Sequence, residues 1–389
     1  MTISRHLHPV LLELAQYYPV VVLTGPRQSG KTTLARGAFP DKSYISLEPL
    51  DNRRYAQEDP RGFLEEYSDG AIIDEVQHAP ELPSYLQDFV DRHADPGRFI
   101  LTGSQNLMLS QSISQSMAGR AGVLTLLPPD WQELQQFSNA PETLLGTLWQ
   151  GHYPRIYDRN IPPQRWLADY VTTYLQRDVR QVTQVSNLNT FNAFLRLCAG
   201  HTAQEVNFSR MGNDIGVTNN TARSWLSVLD TSWLTLSLPA WHRNIRKQVI
   251  KAPKLHFLDS GLVCQLLGIR SAEELRHHPL RGSIFESWVA SELLKQFLNR
   301  GETPALYHYR ESRGLEVDLL WELADSLNII EVKAGSTINS HFFKNLLRFK
   351  ENVQDQSIIP WLVYGGSEHY RRQGCKVTDW QSIRNIALT

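Results

Sequence analysis

The chain has few cysteines, no excess of charge and no long apolar run. Its 389 residues include three cysteines, Cys198, Cys264 and Cys375, without a C-x-x-C pair. That spacing argues against a zinc ribbon or a disulfide framework and favours a reducing compartment. The formal net charge is −1, so any surface that binds nucleic acid must be a local patch. Because no run approaches the roughly 20 apolar residues of a membrane span, and the N-terminus lacks a signal-like apolar core, we expect a cytoplasmic protein without membrane contact.

The most informative stretch is Gly25–Thr33, which reads GPRQSGKTT and follows the apolar run Val20–Thr24. It matches G-x-x-x-x-G-K-[ST], the loop that holds the phosphates of a nucleotide between a strand and a helix. The two glycines let successive N–H groups point at oxyanions, and the following helix adds its N-terminal amides. Lys31 is expected to reach the β- and γ-phosphates, and Thr32 to hold Mg²⁺. The predicted nucleotide-binding residues are Gly25, Pro26, Arg27 (a weaker candidate for phosphate contact), Gln28, Ser29, Gly30, Lys31, Thr32 and Thr33.

Two further apolar runs end in polar residues, as a P-loop site requires. The run Gly70–Gln77 reads GAIIDEVQ, in which Asp74 is expected to hold the Mg²⁺ shell and Glu75 to orient the attacking water. The run from Arg98 ends in Thr102-Gly103-Ser104, and either hydroxyl is a candidate sensor of the γ-phosphate. Helical segments between the runs predict a parallel sheet covered on both faces, whose carboxyl ends form the ligand crevice.

Four motifs occur in the order GPRQSGKTTL, AIIDEVQ, FILTGSQ and AGRAGVLTLLPP. Together they resemble the ATPase module of an AAA-type family that is widespread in bacteria and archaea. The resemblance implies ATP rather than GTP, with Ser104 at the sensor position. It also draws attention to Arg120 as an arginine finger on a neighbour's γ-phosphate, which would require a homo-oligomer. An ordinary surface arginine is the alternative. In that family the module precedes a winged-helix segment and a C-terminal restriction-endonuclease-like domain.

The middle of the chain reads as helical and then as a helix-turn-helix. The resemblance extends over Arg177 and Asp178, which form either a functional pair or a structural salt bridge. In Met211–Asp230 we expect Gly216 to make the turn and Thr218 to cap the second helix.

A strand at Thr235–Leu238 and a basic stretch then predict a winged helix that contacts the DNA backbone. A packing module inside the ATPase is the alternative. The basic stretch consists of Arg243, Arg246, Lys247, Lys251 and Lys254. The predicted DNA-binding residues are Asn220, Arg223, Arg243, Arg246, Lys247 and Lys251.

The C-terminal part places acidic residues and a lysine on neighbouring elements. Glu286 lies on a predicted helix, Asp318 on a strand, and Glu331-Val332-Lys333 on the next strand, where residues two apart share a face. This order resembles the PD-(D/E)xK nuclease core, in which Asp318 and Glu331 would bind Mg²⁺ and Lys333 would orient or deprotonate water. Glu316 shares the face of Asp318 and competes for the metal assignment. The helix that follows carries basic residues that suit DNA, namely His341, Lys344, Arg348 and Lys350.

These patterns predict an α/β chain with four segments. They are a P-loop AAA-type ATPase domain over residues 1–135, a helical lid or linker over 136–195, a winged-helix domain over 196–275 and a PD-(D/E)xK nuclease-like domain over 276–389. The leading prediction is an ATP- and Mg²⁺-dependent ATPase that acts on DNA, with a C-terminal nuclease-like domain that either cleaves DNA with Mg²⁺ or only binds it. The alternatives are a nucleotide-dependent regulatory or signalling switch with an inactive nuclease-like binding domain, and a chaperone-like remodeller of proteins.

Overall fold

The computed structural model describes residues 3–93, 95–104, 117–175, 188–242, 252–311, 314–323, 326–353 and 357–387. None of the helices in these ranges is long and apolar enough to cross a lipid bilayer. Six residues singled out from the sequence lie outside the described ranges, namely Arg177, Asp178, Arg243, Arg246, Lys247 and Lys251.

The N-terminal part is built on a five-stranded parallel sheet in the order β2-β3-β4-β1-β5. Its strands are β1 (Val20–Thr24), β2 (Ser43–Ser46), β3 (Ala71–Asp74), β4 (Phe99–Thr102) and β5 (Ala121–Thr125). Strand β1 is rich in β-branched apolar residues, and all five of its residues are buried because it is a central strand of a sheet that is covered on both faces. The apolar runs that predicted strands at the positions of β1, β3 and β4 do form strands of this sheet.

Helices cover both faces of this sheet. They are α1 (His8–Leu14), α2 (Lys31–Ala38), α3 (Leu50–Glu58), α4 (Pro60–Glu66) and α5 (Leu82–Arg92). Alternate residues of β1 point to opposite faces: Val20 and Val22 pack in one apolar cluster, and Val21 and Leu23 pack in another. The prediction of a parallel sheet buried on both faces is confirmed.

The middle part begins with helices and continues as a helix-turn-helix with a small sheet. The helices are α6 (Trp131–Leu134), α7 (Leu144–Gln150), α8 (Pro154–Asp158), α9 (Pro163–Tyr170, extended by a π turn over Val171–Leu175), α10 (Leu188–Gly200), α11 (Phe208–Ile215), α12 (Asn219–Thr231), α13 (Ser260–Leu267) and α14 (Ala272–His277). An antiparallel sheet in the order β6-β8-β7 joins β6 (Gln204–Glu205), β7 (Thr235–Leu238) and β8 (Lys254–Phe257).

The local predictions for the helix-turn-helix are confirmed. Gly216 ends α11 with φ 73°, and the Thr218 side chain accepts a hydrogen bond from the Thr221 N–H at the start of α12. Strand β7 spans the predicted residues.

The C-terminal part packs a long helix against a six-stranded mixed sheet in the order β13-β14-β12-β11-β10-β9. Its elements are α15 (Arg281–Leu298), β9 (Leu306–Arg310), β10 (Glu316–Leu323), β11 (Ser326–Lys333), a 3₁₀ turn (Ser340–Phe343), α16 (Lys344–Asn352), β12 (Ser357–Tyr364), β13 (Tyr370–Arg372), β14 (Cys375–Asp379) and α17 (Arg384–Ala387). Strands β10 and β11 are antiparallel neighbours. The predicted helix and both predicted strands are present.

Candidate functional site

The P-loop joins β1 to α2 with a backbone that only glycine can adopt at two points. Gly25 has φ 141°, and a Cβ there would lie 2.2 Å from the carbonyl oxygen of Leu126. Gly30 has φ 99° and directly precedes α2. The loop backbone therefore packs against Leu126, directly after β5, and the first N–H groups of α2 face the crevice, which is the arrangement that binds phosphate.

Lys31 is buried with main-chain oxygens as its hydrogen-bond acceptors. It is 6% exposed, and its Nζ donates to the carbonyls of Gly25 at 3.0 Å and Pro26 at 2.8 Å. Burial lowers the pKa of Lys31 to about 8, while Glu75 and Asp74 nearby oppose the shift. A buried ammonium without an ion pair in the described part of the chain is poised to take an anion, so the loop fits a nucleotide's phosphates.

Asp74 lies at the end of β3 directly across from Thr32. The Thr32 hydroxyl donates to Asp74 Oδ1 at 2.9 Å, and Thr102 donates to the same oxygen. The Tyr44 hydroxyl donates to Oδ2 at 2.9 Å, and burial together with Asp74 raises the pKa of Tyr44 to about 12. The adjacent hydroxyl and carboxylate oxygens suit Mg²⁺. Tyr44 is a residue that sequence reasoning missed.

Glu75 is held in a backbone conformation that costs energy. Its φ of 58° places a side-chain-bearing residue in the left-handed region. Gln77 donates to Glu75 Oε2, and Ser104 Oγ donates to the same oxygen at 3.2 Å. Ser104 thus lies beside the carboxylate that was predicted to orient water, and Gln77 is a second partner that the sequence pattern did not reveal.

A cavity of about 1070 Å³ opens beside the P-loop. Its walls include Glu75, Asp74 and the loop from Arg27 to Thr33. Other parts of the chain complete it with residues that sequence reasoning missed, namely Ile3, Ser4, Arg5, His8, Phe137, Pro154, Arg155, Asp158 and Arg159. Arg155 on α8 and Arg159 directly after it therefore add two positive charges to the lining of the cavity beside the P-loop, where they could meet the negative charge of a nucleotide.

Arg5 connects the P-loop to the end of the first domain. It is 7% exposed, and its guanidinium donates to the Ser29 carbonyl at 2.9 Å, the Leu127 carbonyl at 2.7 Å and Glu133 Oε2 at 3.0 Å. Glu133 is itself fixed by a capping box with Asp130 at the start of α6. The fork geometry of arginine thus fixes the P-loop backbone at Ser29.

The same region continues into the C-terminal part. The Trp131 N–H donates to Glu292 Oε2 on α15 at 2.8 Å, and Glu292 Oε1 lies 2.7 Å from Lys295 Nζ. Burial raises the pKa of Glu292 to about 7 despite Lys295. A continuous set of buried contacts therefore links the P-loop, through Arg5 and α6, to α15.

His6, Asp130 and Glu133 also bring three ligand atoms within 4.8 Å of one another. Their lone pairs are already used: His6 Nδ1 lies 2.6 Å from Asp130 Oδ2, and Glu133 accepts from Arg5 and from the Asp130 N–H. This group is a structural hydrogen-bond network.

Arg120 pairs with Asp91 on the same chain. Its Nε lies 2.5 Å from Asp91 Oδ1, its Nη2 lies 2.9 Å from Oδ2, and the pair is partly exposed. Arg120 does not line the cavity. Its role as a finger stays a prediction.

The predicted DNA-binding residues that the structure describes lie on α12. Asn220 and Arg223 are exposed, and the Arg223 guanidinium lies 4.4 Å from the centre of the Phe208 ring. The expectation for Lys254 is wrong: it belongs to β8, is 2% exposed, and cannot contribute to a solvated basic stretch.

The predicted C-terminal residues come together at α15, β10 and β11. Asp318 Oδ2 accepts from the Val332 N–H at 2.8 Å, and Lys333 Nζ lies 2.5 Å from Glu331 Oε1. Glu286 on α15 faces the same cluster through Lys254, whose Nζ lies 2.6 Å from Glu286 Oε1. Asp318, Glu331, Lys333 and Glu286 are therefore neighbours, and Lys254 is the member that sequence reasoning missed.

Burial disfavours negative charge in this cluster. Burial first, and then Asp318, raises the pKa of Glu286 to about 8 and that of Glu331 to about 8. The pKa of Lys254 is raised because Glu286, Asp318 and Glu316 outweigh its burial. The cluster therefore favours bound positive charge.

Comparison with protein families divides the chain into three regions. The AAA domain family matches residues 17–135. Two domains of unknown function, DUF8612 and DUF4143, match residues 142–273 and 281–383. The descriptions of the last two regions name neither a winged helix nor a nuclease.

Uncharacterized proteins of Mycobacterium tuberculosis and Mycobacterium bovis are each 32% identical to this chain over 323 residues, which cover 82% of this chain and 71% of theirs. A solved structure of a Walker-type ATPase of Pyrococcus abyssi aligns with a TM-score of 0.45 at 15% identity, covering 68% of this chain and 96% of that chain.

Proposed function

The chain belongs to the same family as its mycobacterial relatives and carries an AAA domain at residues 17–135, and from this premise we propose that it binds ATP with Mg²⁺ and hydrolyses it. The AAA domain supports ATPase function, and the geometry of the P-loop site supports the assignment of individual residues. The observation that carries the proposal is the position of Thr32, Asp74 and Glu75 around the cavity beside Lys31.

Each residue has a distinct task in this proposal. The N–H groups of the P-loop and Lys31 bind the phosphates, and Thr32 with Asp74 would hold Mg²⁺, which supplies charge neutralisation between phosphate oxygens. Glu75 accepts a proton from water or orients it, and Ser104 fixes the carboxylate by its hydrogen bond. Arg155 and Arg159, which also line the cavity, add positive charge beside the bound phosphates.

The test is the rate of ATP hydrolysis with and without Mg²⁺ and DNA. We expect Mg²⁺-dependent turnover by the natural chain and none by Lys31→Ala, because that variant lacks the ammonium that binds the phosphates. Turnover that survives in Lys31→Ala would refute the proposal.

A second proposed function is DNA association with cleavage by the nuclease-like C-terminal part. It is supported by the approach of Asp318, Glu331 and Lys333 on adjacent strands. Plasmid integrity in Mg²⁺ tests it: Lys333→Ala should remove cleavage and leave ATP turnover unchanged. If the natural chain cuts no DNA, the proposed nuclease activity is wrong. A nucleotide-dependent regulatory switch, in which the C-terminal part only binds its partner, then explains the site better.

The exposed face of α12 supports DNA contact through Asn220 and Arg223. Each phosphate contact that a cationic side chain makes steepens the salt dependence of DNA binding by about one unit. Stimulation of ATP hydrolysis by a protein and not by DNA would instead favour a remodeller, and a dimer or larger ring in solution would support Arg120 as a finger.

A further inference from the structure

Lys254 lies inside the carboxylate cluster of the C-terminal part, although β8 belongs to the middle part. Its Nζ lies 2.6 Å from Glu286 Oε1, 3.0 Å from Glu316 Oε1 and 3.7 Å from Asp318 Oδ1. A buried ammonium among three carboxylates has the position that a metal cation takes in an oxygen-ligand site. We infer that the Lys254 ammonium is the resident cation of this cluster and that it and a divalent ion exclude each other.

The backbone of β8 fixes Lys254 in this position. Lys254 pairs with Leu238 of β7 on one side and with Glu205 of β6 on the other. Two residues farther along the strand, His256 Nδ1 lies 3.1 Å from the Ser287 hydroxyl of α15. The lysine is therefore anchored by a strand that is itself anchored to the helix carrying Glu286, and it leaves the cluster only if its side chain or β8 shifts.

The carboxylate oxygens of the cluster lie farther apart than the ligands of a metal ion, at separations that suit an ammonium group. Outside the network of His6, Asp130 and Glu133, no three carboxylate, imidazole or thiolate groups in the described ranges bring ligand atoms within 4.8 Å of one another. Mg²⁺ draws its oxygen ligands to about 2.1 Å, whereas ammonium contacts are about 2.8 Å long. The cluster must contract before a divalent ion replaces Lys254.

Oε2 of Glu331 is a carboxylate oxygen that could bind a second cation. Glu331 is 6% exposed, and its Oε2 is buried without a hydrogen-bond partner in the described part of the chain. Asp318 lies opposite Glu331, one step beyond the paired residues Leu319 and Ile330. Once the ammonium has left, these two carboxylates can approach a shared divalent ion, since Lys333, which pairs with Glu331, is the only other cation that the described ranges place in an ion pair with either of them.

The inference rests on the proposed nuclease-like site and assigns its regulation. Lys254 lies in residues 142–273, which match one domain family, and the carboxylates lie in residues 281–383, which match another. A shift of the middle part that withdraws one side chain would therefore open the site to Mg²⁺ or Mn²⁺.

Mn²⁺ binding to the nucleotide-free full chain, followed by electron paramagnetic resonance, tests the inference. Lys254→Met should bind Mn²⁺ at least about tenfold more tightly than the natural chain, because the competing ammonium is gone. The matched variant Lys254→Arg keeps the positive charge and should bind like the natural chain. Adding Asp318→Asn to Lys254→Met should remove the gain and thereby assign it to this cluster.

Equal Mn²⁺ affinity of the natural chain and Lys254→Met overturns the inference, as does a gain that survives Asp318→Asn. Lys254→Gln serves as the second uncharged variant if Lys254→Met fails to fold, judged by its thermal unfolding midpoint. Because metal affinity is the readout, a chain that never cleaves DNA would refute the nuclease proposal and leave this result standing.

Discussion

The hydroxyl of Thr32 donates a hydrogen bond to Oδ1 of Asp74 across 2.9 Å, although 42 residues separate them in the chain. The contact joins the P-loop to the carboxyl end of β3. It places a hydroxyl and a carboxylate side by side where the proposed Mg²⁺ would need both. The fold itself thus brings the pair together.

Asp74→Asn should weaken the Mg²⁺ dependence of the ATPase. The amide keeps the shape of the side chain but removes the negative charge, so we expect the Mg²⁺ concentration for half-maximal turnover to rise about 10- to 100-fold. A Mg²⁺ titration of the hydrolysis rate checks this. The exposed Asp51 on α3 supplies the control, because Asp51→Asn should leave the titration unchanged. An unchanged titration for Asp74→Asn would place Mg²⁺ elsewhere.

The affinity for ATP should fall as the pH rises through about 8. In the free protein the pKa of Lys31 is lowered from 10.5 to about 8, so Lys31 loses its proton above that pH, whereas bound phosphate stabilises the ammonium. Above pH 8, ATP binding therefore requires Lys31 to take up a proton. The dissociation constant for ATP should then increase with pH, approaching about a tenfold increase per pH unit. Calorimetry across this range measures it. Lys31→Arg stays charged and should give a flat profile; the same slope in both proteins would exclude Lys31 as its source.

Arg5→Met should impair catalysis more than folding. Loss of the contact to the Ser29 carbonyl lets the P-loop backbone shift, and a misplacement of about 1 Å costs on the order of 100-fold in turnover. We expect a lower kcat with a smaller change in the dissociation constant for ATP, and partial recovery in Arg5→Lys. The control is Arg54→Met at an exposed position, which should leave kcat unchanged. If Arg5→Met lowers only the thermal midpoint and leaves kcat unchanged, Arg5 is purely structural.

Arg155→Ala should weaken nucleotide binding. Arg155 is exposed and lines the cavity beside the P-loop, and one charge-assisted contact to a phosphate is worth roughly tenfold in affinity. Fluorescent ATP titrations of Arg155→Ala and of the control Arg165→Ala measure the difference. Arg165 lies on the next helix and pairs with Asp169. Equal affinities would show that α8 does not touch the nucleotide.

The strands, the P-loop and the helix cap could be predicted because each is determined by residues that are close together in the sequence. The β-branched residues of β1 and the glycines of the P-loop define a strand and a loop within fifteen residues. Asp74 and Glu75 can be predicted as site residues because they stand at the end of a buried apolar strand. Likewise, the cap at Thr218 depends on a contact three residues away.

The remainder depended on contacts between distant segments. Arg5 finds its acceptors 24, 122 and 128 residues away, and Lys254 meets Glu316 after 62 residues. Because Lys254 follows four basic residues, the sequence predicts an exposed side chain. Only the packing of β8 on α15 shows that Lys254 is buried. Arg155 and Arg159 carry no motif, so their place in the cavity came from the structure alone.

The most direct test of the central claim is phosphate release by Glu75→Gln compared with the natural chain, at saturating ATP and Mg²⁺. Glutamine keeps the contacts to Ser104 and Gln77 but cannot accept a proton. We expect Glu75→Gln to bind ATP with unchanged affinity and to turn it over about 100- to 10,000-fold more slowly. Turnover by Glu75→Gln equal to that of the natural chain would contradict it.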